Sequence, residues 1–431
     1  MKHRPRIVVV GGGIAGLLLA TRLGDTLGRK QRADVTLIDK SPTHIWKPML
    51  HTIAAGTREI QQQQQVIFLA HAREHGFTYQ PGEMVGIDRA TREIDLAAIE
   101  TSAGETLIGP RRIGYDVLIL AVGSRANDFG TPGVTSHCHF IDNQVEAEAF
   151  NEALRVRIFQ SVVMNRDLRV SIVGAGATGV ELAAELSHLL EVASSYGDPA
   201  IRERLKLSLY ESGPRILAAF PETVSKSSEA QLRQIGFEVH TGTRVTAAGP
   251  DGLQLADGGS QPADIMVWSA GVKAPTFLGQ LAGIEVNRSN QVAIGPTLQS
   301  VDDEHIFALG DCASYTPAGR ERPLPPTAQV ATQQARFLAR HLPAWLDGKP
   351  LPEFHFQDLG ALVSISDYNA FGTLGQFGFF RGGFIKGRFA QLSHAMLYRQ
   401  HQYALHGLRK SALLWSAERL NGCVRPTIRM T

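Results

Sequence analysis

Cysteine is scarce in this chain, and closely spaced cysteine pairs are missing. Only Cys138, Cys312 and Cys423 occur among 431 residues, with no CxxC or CxxxxC spacing. That pattern excludes a short-loop redox disulfide and a cysteine-held cluster, argues for a reducing compartment, and gives no reason to expect a metal. Long apolar runs are missing too. Nowhere do about 18 apolar residues follow one another, so no segment is expected to span a bilayer. Acids are almost absent from the tail. From Arg381 onward nine basic residues (Arg381, Lys386, Arg388, Arg399, Arg409, Lys410, Arg419, Arg425, Arg429) face one acid, Glu418, a net +8 that leaves the rest of the chain at −6. An acidic body with a basic tail implies an anionic partner for the tail, either nucleic acid or a membrane surface.

What is present is more informative. Arg6-Ile-Val-Val-Val10 runs into Gly11-Gly-Gly13-Ile14-Ala15-Gly16, then a helix pattern, then Val35-Thr-Leu-Ile-Asp39. The same unit recurs as Arg169-Val-Ser-Ile-Val173, Gly174-Ala-Gly176-Ala-Thr-Gly179, a helix pattern and Leu207-Ser-Leu-Tyr-Glu211. Each reads as strand, glycine turn, helix and a second strand ending in a carboxylate. The glycines permit the tight turn and close backbone approach to a pyrophosphate, which the helix N-terminus attracts through free N–H groups. Asp39 and Glu211 then accept from ribose hydroxyls. One such motif is weak evidence, but two complete units imply two bound dinucleotides. Val8 to Ala20 superficially mimics a signal peptide, yet the same residues spell the first fingerprint.

The chain is expected to be α/β, with two Rossmann-like dinucleotide-binding domains followed by an α+β C-terminal region. Residues 1–125 read as the first part of one domain and 145–280 as a second domain inserted in it. Residues 285–341 return to the first, and 342–431 form the tail region. After Asp39, Thr43-His-Ile-Trp46-Lys47-Pro48 reads as a loop, and Gln61 to Gln65 as a polar loop or helix face. Met84 to Asp88, Tyr115 to Leu120, Asp264 to Ser269 and Ile306 to Leu309 read as strands. Pro323 to Pro326 bends the chain into a helix starting near Thr327. Leu359 to Ile365 and Ala370 to Phe380 read as strands ahead of basic helical segments.

The order of these pieces resembles the two-dinucleotide-binding-domain flavoproteins. In them FAD occupies the outer domain and NAD(P)H the inserted one. Gly310-Asp311 matches their third flavin motif, whose aspartate bonds the ribityl chain, and Ala121-Val-Gly123 and Ser269-Ala-Gly271 match the crossings between domains. The chain further resembles the type II NADH:quinone oxidoreductases. That likeness lies in Trp46-Lys47-Pro48-Met-Leu50-His51, Gly179-Val-Glu181-Leu-Ala-Ala-Glu185, Ala328-Gln329-Val-Ala-Thr-Gln333-Gln334 and the basic amphipathic C-terminus.

The resemblance implies non-covalent FAD on Gly11, Gly13, Ile14, Ala15, Gly16, Asp39, Lys40, Lys47, Val85, Gly123, Asp311 and Ala328. It implies NADH on Gly174, Gly176, Gly179, Glu181, Glu211 and Gly271. Glu181 is implied to hold the nicotinamide carboxamide beside the flavin, and Gln329 and Gln333 to serve quinone reduction. Hydride would pass at van der Waals distance, and the helix dipole near Thr327 would stabilise reduced flavin. The activity implied is NADH oxidation with two-electron transfer to membrane quinone and no proton pumping. It would take place at the cytoplasmic face of the inner or plasma membrane, in a homodimer attached peripherally.

Several residues have a plainer reading. Lys47 reads equally as a surface lysine or a cation near the flavin, and Gln329 and Gln333 could share a solvated helix face. Cys312 reads as a small buried residue. His44 and His51 are indistinguishable from packing residues. Arg215 leaves some room for NADPH, although Glu211 opposes a 2′-phosphate. In the tail, Leu413, Ala417, Leu420 and Val424 repeat at helical spacing beside Leu414 and Trp415, as do Leu392 and Met396 one helix earlier. Core packing is the default for such stripes. The surrounding Arg399, Arg409, Lys410 and Arg419, with Trp415 and Tyr403, favour helices lying on an anionic lipid surface instead. No nucleic acid is expected. The alternatives are a sulfide:quinone oxidoreductase-like enzyme, for which only Cys138 and Cys312 could serve, and a redox-sensing flavoprotein whose tail binds nucleic acid.

Overall fold

A computed structural model describes residues 4–57, 65–101, 103–196, 201–365, 369–374, 383–386 and 388–424. Gln61 to Gln64, residues 375–380 of the second glycine-rich strand, and Arg381, Arg425 and Arg429 lie outside the described residues. The chain divides into two compact units. One comprises residues 1–46, 62–125 and 272–357, the other residues 47–61, 126–271 and 358–431.

The first unit is built on a five-stranded parallel sheet ordered Ile306–Ala308, Val117–Leu120, Arg6–Val10, Asp34–Asp39, Thr78–Pro81. Ile7 to Val10 and Val117 to Leu120 are buried throughout, as aliphatic runs covered on both faces of a parallel sheet should be. Helix Ile14–Leu23 follows the first strand and packs against helix Ala328–Leu346. The expected start near Thr327 is this helix's N-cap, where the Thr327 hydroxyl oxygen accepts from the Val330 N–H at 3.3 Å. Its apolar stripe, Val330, Ala331, Ala335, Leu338 and Leu342, is buried. Because Ile306–Ala308 pairs with Val117–Leu120, the chain rejoins the sheet it left before the second glycine unit. Met84–Asp88, Glu93–Leu96 and Arg111–Gly114 add an antiparallel sheet.

The second unit repeats the plan with four parallel strands ordered Phe237–His240, Leu205–Tyr210, Leu168–Val173, Ile265–Trp268. Helix Ala177–Tyr196 follows the glycine turn. An antiparallel sheet of Gly360–Ile365, Asn369–Leu374 and Gly383–Lys386 lies beside that helix and beside helix Glu222–Gln234. The C-terminal helix Arg388–Val424 covers this sheet and breaks at Gly407, where φ 70 and ψ 177 leave the helical region.

These compact units are cut differently from the expected domains. Residues 358–431 group with the second dinucleotide unit because their strands lie on its helices, and the return to the first unit extends to residue 357. The stretch read as a loop after Asp39 is more ordered than expected. Thr43–His44 pairs with Val66–Ile67, and Lys47–Met49 turns into helix Leu50–Ala55, whose side chains are all buried. Its apolar and small residues, Leu50, Ile53, Ala54 and Ala55, outweigh the punctuation before them. Among the described residues, no helix is long and apolar enough to cross a membrane.

Candidate dinucleotide sites

The two glycine turns share one geometry. Gly11 and Gly174 adopt φ +103 and +101. A Cβ on Gly11 would meet the Ala121 oxygen at 2.4 Å, and one on Gly174 the Ala270 backbone at 2.6 Å. Gly16 and Gly179 would strike the oxygens of Gly11 and Gly174 at 1.9 and 2.0 Å, so both seat the helix on the turn. The middle glycine differs. A Cβ on Gly176 meets nothing within 4 Å, and one on Gly13 meets only the Ala121 oxygen at 4.0 Å. These glycines leave an open approach rather than permitting a contact. Gly13 caps the first helix with no side-chain acceptor, leaving N–H groups for an anion. Ile14 is half-buried and Ala15 buried, so both would act through their backbone.

Each carboxylate is tied to its own turn. Asp39 accepts from the Gly12 N–H at 2.6 Å and the Ser41 N–H at 2.8 Å. Burial raises its pKa, and those two N–H groups pull it back. Glu211 accepts from Ala175 at 2.9 Å and Gly213 at 2.7 Å. Arg215, the cation that sequence offered for a 2′-phosphate, donates to the carbonyls of Phe220 (2.9 Å), Ala218 (2.8 Å) and Leu217 (3.3 Å). The turn already occupies its guanidinium.

In the first unit Asp311 opens a cavity of about 330 Å³ shared with Gln291, Lys273, Arg322 and the Pro323–Pro326 bend. Its carboxylate accepts from the Ser124 hydroxyl at 2.7 Å, next to Gly123 in the crossing turn. Gly310 is held left-handed at φ +70, and its N–H donates to the Gln334 side chain at 2.7 Å. Gln334 is 2% exposed. Sequence reading passed it over in favour of its neighbours. The signal was there, because it falls in phase with Ala331 and Leu338 on an apolar stripe, where a polar side chain must have a partner. With Asp39, Gly123, Ser124 and Asp311 gathered in one unit, the residues fit a flavin dinucleotide. Asp311→Ala is expected to lower flavin content at least several-fold, read from the 450 nm to 280 nm absorbance ratio.

Glu181 belongs to the second unit, in helix Ala177–Tyr196, and is buried. Its carboxyl accepts from the Ser364 N–H at 3.2 Å and lies 3.6 Å from Nδ1 of His51. Burial pushes its pKa up to about 8, with the neighbouring Glu185 adding to the rise. Glu185 in turn accepts from the Thr57 hydroxyl. His51 is 4% exposed, so a charged pair would dehydrate both partners, and Glu181 keeps its proton near pH 7. A carboxyl that holds its proton more tightly when folded stabilises the fold at low pH. Stability therefore falls as pH rises from the unfolded value of 4.5 towards about 8, by up to about 1.4 kcal/mol per pH unit. Glu181→Gln is expected to flatten that slope in denaturant titrations between pH 5 and pH 8.

The remaining expected contacts are distributed as follows. Gln329 and Gln333 share a face, 3.4 Å apart. Gln333 also donates to the Gln357 carbonyl at 2.8 Å and accepts its N–H at 3.0 Å, bracing the end of the first unit. Ala328 opens the same helix. Lys47 pairs with Asp142 at 3.3 Å, and Asp142 also accepts from the Ala126 N–H at 2.6 Å. Lys40 pairs with Glu83 at 3.0 Å in the open, and Val85 is half exposed. Gly271, in the second unit, is crowded by Phe129, which would meet a Cβ at 2.6 Å. His44, indistinguishable by sequence, hydrogen-bonds the Gly12 carbonyl at 2.9 Å and so supports the first turn. Burial raises the thiols of Cys312 and Cys138 to about 11 and about 12, so neither is a ready nucleophile.

In the tail, Leu408, Leu413, Leu420, Met396 and Tyr403 are exposed, as are Arg409, Lys410 and Arg419. Trp415 is half-buried. Its N–H donates to Gln402 at 2.8 Å and Arg399 lies 5.4 Å over its ring, while Arg399 also pairs with Glu418. These residues join the two halves of the helix.

Comparison with known proteins places this geometry. The pyridine nucleotide-disulphide oxidoreductase family matches residues 5–335. A type II NADH:quinone oxidoreductase of Haemophilus influenzae is 39% identical, covering 98% of this chain and 99% of its own. One of Staphylococcus aureus is 28% identical over 86% and 90%. The structure of NDH2 from Plasmodium falciparum in complex with NADH superposes with a TM-score of 0.83 at 18% identity, over 99% of this chain and 100% of that one. The sulfide:quinone oxidoreductase of Aquifex aeolicus superposes with a TM-score of 0.74 at 18% identity, over 94% and 92%. The chain belongs to the pyridine nucleotide-disulphide oxidoreductases and, within them, to the type II NADH:quinone oxidoreductases.

Proposed function

We propose that this protein oxidises NADH through non-covalently bound FAD and passes two electrons to a membrane quinone without moving protons across the bilayer. The observation that carries the reading is the pair of matched glycine cradles. Each has an acidic ribose acceptor, and the first is completed by Asp311 and Ser124. The full-length likeness to a type II NADH:quinone oxidoreductase supports it. When bound, FAD supplies the two-electron acceptor. The chain's own part is to orient the dinucleotides, with Asp39 and Glu211 holding riboses and the helix N-termini balancing pyrophosphate charge. Glu181, neutral near pH 7, offers a hydrogen-bonding group to the nicotinamide carboxamide without burying a charge. The raised thiols disfavour sulfide chemistry.

The protein works peripherally at the cytoplasmic face of the inner or plasma membrane, as a homodimer. Its exposed leucines and tail cations meet anionic lipid rather than nucleic acid. Protein purified in detergent should oxidise NADH at least ten times faster when a short-chain quinone is added. A rate indifferent to quinone would contradict the reading. Gln329→Leu should slow reoxidation of the flavin by quinone while leaving reduction by NADH within a few-fold in stopped flow. Gln333→Leu should in addition lower stability, since its amide braces Gln357. If both half-reactions fall together in Gln329→Leu, that residue supports the flavin and not the quinone.

A further inference from the structure

Outside the dinucleotide sites, helix Phe68–His75 carries His71, Glu74 and His75 at i, i+3 and i+4, which puts all three on one face. One ring nitrogen of each histidine and a Glu74 carboxylate oxygen lie within 4.8 Å of one another. The two rings are 4.3 Å apart and tilted by 39°.

The neighbours fix the protons on both rings. The Thr21 hydroxyl donates to the Leu17 carbonyl at 2.6 Å, so its oxygen accepts from Nε2–H of His71 at 2.9 Å. That makes Nδ1 the basic nitrogen of His71. In His75, Nδ1–H donates to the Asp25 carboxylate at 3.0 Å, which makes Nε2 the basic nitrogen. This Nε2 is buried and has no hydrogen-bond partner among the described residues. A buried, unpartnered ring nitrogen is costly unless something binds it. Core packing accounts for His71 but leaves His75 Nε2 unexplained. A carboxylate holding one ring nitrogen so that the other can coordinate is the usual support of a metal-binding histidine.

The backbone is shaped for this approach. Asp25 sits in a π turn, Gly24–Gly28, that continues helix Ile14–Leu23. Such turns are frequent at functional positions. A Cβ on Gly24 would strike the His75 oxygen at 2.3 Å, and one on Gly28 the Gly76 oxygen at 1.9 Å. Both glycines therefore let the two segments lie backbone to backbone. Arg29, 3.6 Å from Asp25, offsets its charge.

We propose that His71, Glu74 and His75 bind a divalent cation, Zn2+ by their donor set, with Asp25 of the neighbouring π turn orienting His75. Two neutral imidazoles and one carboxylate suit zinc better than calcium or magnesium. Tetrahedral zinc holds its ligand atoms about 3.3 Å apart, so the three donors, which lie within 4.8 Å of one another, close in on the ion.

The test uses the full-length flavoprotein, stripped with chelator and dialysed against micromolar Zn2+ in millimolar Mg2+, with bound metal counted by mass spectrometry. One zinc per chain with a dissociation constant at or below about 1 µM is expected. His75→Gln should weaken binding at least 100-fold, and Asp25→Asn, at a partly exposed position, about 10- to 100-fold, with flavin content unchanged in both. No zinc retained by the parent protein, or full retention by His75→Gln or Asp25→Asn, would overturn the assignment.

Discussion

NADH is expected to be used roughly 30- to 1000-fold better than NADPH by kcat/KM, corresponding to about 2–4 kcal/mol. The Glu211 carboxylate is fixed at the end of its strand by the Ala175 and Gly213 N–H groups, and on the proposed reading it accepts from a free 2′-hydroxyl. A 2′-phosphate in that place would meet a negative charge and remove the donor. The obvious counterweight is Arg215, yet three backbone carbonyls already hold its guanidinium. Glu211→Ala should therefore lose most of the preference by weakening NADH, with only a modest gain for NADPH. Equal kcat/KM for the two nucleotides in the parent protein would show that another cation governs the pocket.

Replacing Leu408, Leu413 and Leu420 together with Gln is expected to lower partition onto anionic vesicles by two orders of magnitude or more. These leucines are 68%, 71% and 70% exposed, so the substitution removes no core contact. Fully buried in a lipid interface, each would contribute about 1.5–3 kcal/mol. The basic residues around them add about 1 kcal/mol apiece on an anionic surface. High salt should therefore loosen the parent protein only in part, while detergent extracts it. The triple variant should still pass electrons from NADH to a soluble acceptor but lose activity with long-chain quinone in vesicles. Undiminished vesicle binding by the triple variant would remove these leucines from the membrane contact.

The fold was legible because its signals are local and repeated. Gly11 to Gly16 and Gly174 to Gly179 announce a strand–turn–helix by backbone need alone, and buried runs such as Val117 to Leu120 mark the parallel sheets. The helix start at Thr327 was readable from a capping residue after a proline-rich bend. The supports of the sites were harder to read, because they depend on contacts far apart in sequence. Nothing near Glu181 in the chain announces Ser364 or His51, and nothing near Gly310 announces Gln334. Trp415 was read by composition as an interfacial aromatic. Its partners Arg399 and Gln402, thirteen or more residues earlier in the helix, could not be read from that composition. The His71, Glu74 and His75 spacing is visible in sequence, but without the Asp25 turn beside it the motif carries little weight.

The central claim is that the two matched cradles hold an electron donor and a flavin that exchange a hydride. Anaerobic titration of the purified protein with NADH tests it most directly, with the flavin band followed near 450 nm. One equivalent of NADH should bleach the band fully, and one equivalent of a short-chain quinone should restore it. A flavin that NADH leaves oxidised, or one that quinone fails to reoxidise once reduced, would contradict the account.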